Sequence, residues 1–340
     1  MNRKKQPQKL FFSKTLDFLD HYLPEQAKKS NNTVETYRDA LTIFRRYISE
    51  TKRMSIKSFS FDDCTHELLL SFMEFLQNSG NAPRTCNNRL AAIRAYLWYA
   101  ADSDISIQPV ALTASHVPFI RVPKLTWETI SVEAMSALLS APPETKIGKR
   151  DRVILILLYD TAIRVSELLS LDVRSVNLTA EIPYIRVYGK GDKERIVAIT
   201  DATAKHIGNY LKTVHCDPSP DAPLIYTVIK GNVGRMSVGN VERIMKKYAD
   251  QIRSEYPDLP NTVYPHMVRR TRATNLYQDG IELELISRIL GHTSTETTRI
   301  YAVPSIEMMR KAMDDGKLAS PEMPEWIEDE AEYARLCGLR

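Results

Sequence analysis

The chain has 340 residues, 43% hydrophobic and 26% charged, which suits a globular protein of about two domains at ~100–200 residues each. With 12 glycines and 18 prolines it is not a low-complexity chain, and its longest apolar run, VILILLY at 153–159, falls far short of the ~20 residues of a membrane span. The formal net charge of +4 is unevenly spread: residues 1–125 hold 18 basic against 12 acidic side chains, while residues 305–340 hold 5 against 9. A basic front half points to a polyanionic partner.

The opening MNRKKQPQK is basic and polar with no apolar stretch behind it, so no secretory signal is expected. It reads as a basic extension over residues 1–9. Residues 10–104 read as four amphipathic helices. These are KLFFSKTLDFLDHYL (9–23), the stretch after Asn32 with Glu35 three residues on, THELLLSFMEFLQNSG (65–80) and PRTCNNRLAAIRAYLWYAAD (83–102). The second has a capping-box start and the third a glycine stop, and together they suggest a small helical bundle.

Residues 105–129 carry three prolines and no clean period, which reads as a linker. Residues 130–315 then form a larger domain. Ser131 is an expected N-cap, and DRVILILLYDTA is apolar nearly all round, as a buried helix should be. The period changes to two in IPYIRVYG (182–189) and ERIVAIT (194–200), with the turn KGDK between them, a β-hairpin signal. Helical patterns resume at 201–214, 237–255, 266–279, 281–290 and around 305–313. Residues 316–340 form an acidic tail in which Trp326 and Tyr333 are candidate anchors. The fold class is therefore mainly α, with a small antiparallel β-sheet in the C-terminal domain.

No phosphate-binding loop, dinucleotide fingerprint, HExxH or GxSxG occurs. Cys64, Cys86, Cys216 and Cys337 show neither CxxC nor zinc-ligand spacing, so no metal or cofactor is expected. What remains is a dispersed polar set. Arg164 lies between apolar segments, where Glu167 at i,i+3 or an external anion would answer its charge. Lys190 sits between two glycines, as a solvated turn residue or a mobile donor. His266 and Arg269 share a helical face at i,i+3. His292 follows Gly291, and Tyr301 comes nine residues later in a run where a tyrosine is usually core.

In order, TAIRVSELLSL, GKGDKER, PHMVRRTRAT and LGHTSTETTRIY resemble the tyrosine recombinase (phage integrase) family, nearest to its Xer-like and transposon-encoded integrases. The resemblance runs from about residue 15 to 305, and TCNNRLAAIRAYLWYA is similar to the family's core-binding, SAM-like domain. It implies a two-domain DNA clamp that cuts and rejoins DNA through a covalent 3′-phosphotyrosyl intermediate, without metal or ATP. Tyr301 would be the nucleophile and Lys190 the acid for the leaving 5′-oxygen. Arg164, Arg269, His266 and His292 would hold the phosphate and its protons. Arg84, Asn87, Asn88, Arg89 and Arg94 would face DNA, with Arg270, which stands where many relatives carry His, as a further contact. The implied partner is a double-stranded recombination site. The implied assembly is a homo-oligomer, a tetramer on two sites, or a mixed one with related recombinases. The setting would be cytoplasmic, at the nucleoid when DNA-bound. A non-catalytic DNA-binding relative, a type IB topoisomerase-like swivelase and a hydrolytic phosphodiesterase using the two histidines are the competing readings.

Overall fold

The computed structural model describes residues 9–122, 128–189, 194–215, 219–292, 294–315 and 330–339. The chain divides into two compact units, Met1–Thr126 and Trp127–Arg340.

In the first unit a 3-10 turn at Phe11–Lys14 leads through α1 (Thr15–Asp17) into a π-wound segment, Phe18–Gln26, that contains Pro24. Then come α2 (Asn31–Arg46), α3 (His66–Asn78), α4 (Pro83–Ser103) and α5 (Gln108–Ser115). The α2 cap is Ser30, whose hydroxyl accepts the Thr33 N–H, so the start lies two residues before the expected Asn32. Helix α3 opens on Thr65 and ends before Gly80 at φ +79, a left-handed position that favours glycine. Proline opens α4 at the position where the missing N–H costs nothing. The core is aromatic. Phe11, Phe18, Phe44, Phe59, Phe72 and Tyr96 are fully buried, with ring centroids 5.0–5.4 Å apart for Phe11–Phe44, Phe18–Tyr96 and Phe44–Phe72.

The stretch expected to be a linker from residue 105 departs from that expectation. A 3-10 turn and α5 occupy Ile105–Ser115, and Ile107, Ala111, Ala114 and Val117 are buried in the first unit's core. Short residues spaced three or four apart (Ala111, Ala114) were the helical signal beneath the prolines.

The second unit is built around α7 (Lys146–Asp160), whose Val153, Ile154, Leu155, Leu157 and Leu158 are buried, as its all-round apolarity demands. Before it lies α6 (Val132–Ser140), capped by Ser131, and after it α8 (Val165–Ser170). Strands β1 (Val176–Asn177), β2 (Tyr184–Tyr188) and β3 (Glu194–Ala198) form an antiparallel sheet in the order β1-β2-β3, with Ile185 opposite Val197. Helix α9 (Asp201–Thr213) follows. Strands β4 (Tyr226–Ile229) and β5 (Asn232–Arg235) then form a second hairpin that the sequence reading did not anticipate. Its turn places Lys230 at φ 50 and Gly231 at φ 82, the backbone of a two-residue hairpin turn. Helices α10 (Val238–Ile252), α11 (Pro265–Gln278), α12 (Leu283–Leu290), α13 (Glu296–Arg299), α14 (Ile306–Asp315) and α15 (Glu330–Leu336) complete it. Tyr333 on α15 is exposed. Trp326, residues 316–329, the N-terminal residues 1–8 and Cys216 lie outside the described residues. Among the described residues no helix is long and apolar enough to cross a membrane.

Candidate active site

Four segments of the second unit converge on Arg269. Its side chain, 1% exposed, rises from α11, which starts at Pro265. Nη1 donates to the Ala162 carbonyl at 2.6 Å, Nη2 donates to the Leu290 carbonyl at 2.6 Å, and Nη2 also lies 3.0 Å from His292 Nε2. Arg269 thus ties the end of α7, the end of α12 and the following loop into one cage. Burial first, and then the Arg164 charge, lower its pKa, yet a guanidinium so shifted is still cationic at neutral pH.

The cage depends on two unusual backbone positions. Ala162 has φ 49, a left-handed conformation that costs a residue with a Cβ roughly 1–2 kcal/mol; it presents its carbonyl to Arg269. Gly291 ends α12 at φ +63, and a Cβ there would stand 2.7 Å from the Arg195 guanidinium. The left-handed φ is what favours glycine at 291.

Arg164 is the N-cap of α8. Its Nη1 donates to Glu167 Oε1 at 2.8 Å, and its backbone N–H donates to Oε2 at 2.8 Å. The i,i+3 pairing readable from sequence therefore forms. It does not exhaust the arginine, whose side chain is 40% exposed and keeps donors for an external anion. Glu167, 5% exposed, is shared. Arg195 donates to it through Nη1 at 3.2 Å and Nη2 at 2.8 Å, and through Nε to the Ile289 carbonyl at 3.2 Å. Burial pushes the Glu167 carboxyl up, but the bonds from Arg195 and the Arg164 backbone outweigh it and hold the pKa below the usual value.

Arg195 is the residue that sequence reasoning missed. Its signal was the strand period: in β3 it shares the inward face with Val197, and a cation on an apolar face needs a buried carboxylate.

His266, exposed at the start of α11, has its pKa lowered by partial burial and then by Arg269, Arg270 and Arg164. His292 is lowered further, to about 4, by burial and the charges of Arg269, Arg164, His266 and Arg195. Both rings are neutral at pH 7. Nδ1 of His292 lies 2.9 Å from Thr298 Oγ1, and its ring stacks on Tyr301 with centroids 6.1 Å apart at 29°. Tyr301 is 3% exposed in a small cluster with Ala162, Ala273, Ile286 and Leu290. It is a packed tyrosine and also a neighbour of the cationic cage. Lys190 lies outside the described residues; β2 and β3, which flank it in sequence, pair as far as Tyr188 opposite Glu194.

The residues expected to face DNA divide. Arg270 is 4% exposed, with Nη2 donating to the Tyr264 hydroxyl at 2.9 Å; its position in α11 turns it into the unit rather than onto the surface. On α4, Arg84 and Asn88 are exposed and one turn apart. Asn87 is not free for a base edge, because its amide exchanges two hydrogen bonds with the Ile120 backbone at 2.8 and 2.9 Å. Arg89 donates to Asn81 Oδ1 at 2.8 Å. Arg94 donates through Nε to the Ala114 carbonyl at 2.9 Å and through Nη2 to the Val117 carbonyl, and lies over the Phe119 ring. Asn87 and Arg94 fasten the segment after α4 to that helix, and Arg89 holds the turn before it. Among the described residues no group of three or more His, Cys, Asp or Glu is arranged to hold a metal ion.

A pair of guanidiniums, two neutral imidazoles and an adjacent phenol form a set suited to phosphoryl transfer. Residues 128–307 match the sequence model of the phage integrase family, and residues 14–111 match the phage integrase SAM-like domain. The tyrosine recombinase XerD of Staphylococcus aureus is 30% identical over 284 residues, 83% of this chain and 91% of that protein. The tyrosine recombinase XerC of Myxococcus xanthus is 29% identical over 304 residues, 86% and 94% of the two chains. Among solved structures, the Tn1549 transposon integrase in complex with transposon right end DNA has a TM-score of 0.67 at 16% identity, covering 88% of this chain and 98% of that one. The XerH recombinase bound to its difH substrate has a TM-score of 0.62 at 21% identity, covering 87% and 83%. The chain belongs to the phage integrase family, the tyrosine recombinases, enzymes that cut and rejoin DNA.

Proposed function

We propose that this recombinase uses Tyr301 to open a DNA phosphodiester, forming a 3′-phosphotyrosyl ester that is later attacked by a 5′-hydroxyl. The observation that carries the reading is the convergence of Arg164, Arg269, His266 and His292 beside Tyr301. A phenol of pKa about 10 is both an adequate nucleophile and an adequate leaving group, so the ester keeps the bond energy and rejoining needs no nucleotide. Negative charge builds on the non-bridging oxygens, and Arg164 and Arg269 meet it with forks that stay protonated. His266, held neutral, accepts the phenol's proton or binds a phosphate oxygen. His292 donates to the phosphate. Lys190 protonates the leaving 5′-oxygen.

The substrate is a double-stranded recombination site, gripped as a clamp by the two units. Exposed Arg84 and Asn88 are the α4 residues available to it; such contacts weaken steeply with salt. A tetramer on two sites is the proposed assembly, and a DNA-acting enzyme of this kind works in the cytoplasm, at the nucleoid.

The test selects bound duplexes from a randomised pool and nicks the best site opposite the cleavage position, so that the cut end diffuses away. Wild type should accumulate a denaturation-resistant adduct and Tyr301→Phe none. Binding without an adduct by wild type would favour the non-catalytic reading. Site-independent relaxation of plasmids would favour the swivelase.

A further inference from the structure

The buried hydroxyl of Thr298 fits none of the roles given above. Thr298 is 0% exposed, on the short helix α13 between His292 and Tyr301, and its Oγ1 lies 2.9 Å from His292 Nδ1. The other ring nitrogen, Nε2, is 3.0 Å from Arg269 Nη2. An arginine can only donate, so Nε2 must be the acceptor. The neutral ring then carries its proton on Nδ1, which donates to Thr298 Oγ1.

That tautomer is the wrong one for holding a phosphate. An ionised phosphate oxygen only accepts, so His292 must offer it an Nε2–H. Protonating the ring to a cation would supply one, but the surrounding guanidiniums oppose it.

We propose, resting on the assignment of His292 to the phosphate, that Thr298 is the positioning residue that lets this histidine exchange tautomers as the phosphate arrives. In the DNA-free site Arg269 and His292 satisfy each other. The phosphate takes over the Arg269 Nη2 donor and releases Nε2. One proton leaves Nδ1 to solvent and one enters Nε2 from solvent, so the ring's charge is unchanged. The Thr298 hydroxyl rotates from acceptor to donor and satisfies the bare Nδ1. Only a side chain that both accepts and donates supports both states, and a hydroxyl does so without moving its oxygen.

The seven histidines are few enough for selective ¹⁵N labelling, with His292 assigned by its loss in His292→Gln. Nitrogen shifts distinguish the two tautomers directly, without any cleavage assay. Free wild type should show His292 protonated at Nδ1. Dimethyl phosphate, a diester anion that like DNA carries no P–OH, added to saturation, should move the proton to Nε2. Thr298→Ser should switch as wild type does. Thr298→Val, equal in shape but without the hydroxyl, leaves the loaded ring with either a bare, unpartnered Nδ1 or an Nε2 lone pair against the phosphate, so it should show mixed tautomers under the same loading. On a cleavable site it should react roughly 5–10-fold more slowly, as the loss of one neutral hydrogen bond implies. An Nε2–H tautomer in the free protein, a Thr298→Val protein that switches normally, or a site that takes up no dimethyl phosphate would each overturn the proposal. A protein that never cuts DNA but shows the exchange would sink the recombinase chemistry and leave the tautomer device standing.

Discussion

Arg94 and Arg269 sit in similar settings and do different things. Each rises from a long helix, and each donates to two backbone carbonyls distant in sequence. Arg94 lies over the ring of Phe119, and its pKa falls through burial alone. Around Arg269 stand a second arginine, two histidines and a tyrosine. A guanidinium clamping carbonyls is a structural staple. The same clamp beside further cations, which repel one another until an anion arrives, is what the proposed mechanism uses as its phosphate receptor. Charge context, not burial or hydrogen-bond number, separates the two.

The contrast breaks most readily at Arg269. Arg269→Lys keeps the charge but loses the fork, so strand cleavage should fall about 10²–10³-fold while site affinity changes little; single-turnover cleavage and gel-shift titration measure both. Arg94→Met should do the reverse. It should lower stability by about 2 kcal/mol through two lost charged hydrogen bonds, seen in urea midpoints, and leave cleavage by the bound protein unchanged.

A pH titration sharpens the comparison, because the Arg269 cage, unlike the surroundings of Arg94, contains depressed histidines. The unfolded His292 takes up a proton near its ordinary pKa of about 6.5, whereas the folded one resists until about 4. Its contribution is therefore intact above about pH 6.5 and is lost as pH falls towards about 4. His292→Gln should flatten the urea-midpoint profile in that window, leaving the smaller slopes due to His266 and His206. The smallest effect belongs to the strained residue whose carbonyl accepts from Arg269. Ala162→Gly should raise stability by about 0.5–1 kcal/mol by relieving the positive φ, and thermal unfolding will show it.

Much of this was legible in the residues. The α7 run was apolar all round because it is buried on all sides, and the alternation at 182–200 is the sheet's two faces. Arg164, His266, Arg269, His292 and Tyr301 stood out through their order along the chain, since each one alone has a commonplace local explanation. Two of those local explanations are also true: Arg164 does pair with Glu167, and Tyr301 is packed. The surface residues of α4 were less legible, because helical spacing says which residues share a face but not which carbonyls wait opposite. Ile120, Ala114 and Val117 lie 33, 20 and 23 residues from the side chains that bind them. Arg195 escaped for the same reason, as its partners Glu167 and Ile289 are distant in sequence. The β4–β5 hairpin hid behind a lysine-glycine turn with only four residues on either side.

The central claim is that the cage around Arg269 exists to serve one phenol among the chain's 16 tyrosines. Tandem mass spectrometry of the trapped protein–DNA adduct, after protease and nuclease digestion, tests it most directly. The residual nucleotide should be found on Tyr301, within the peptide that follows Arg299. A nucleotide on any other residue, or an adduct that persists in Tyr301→Phe, would contradict the account.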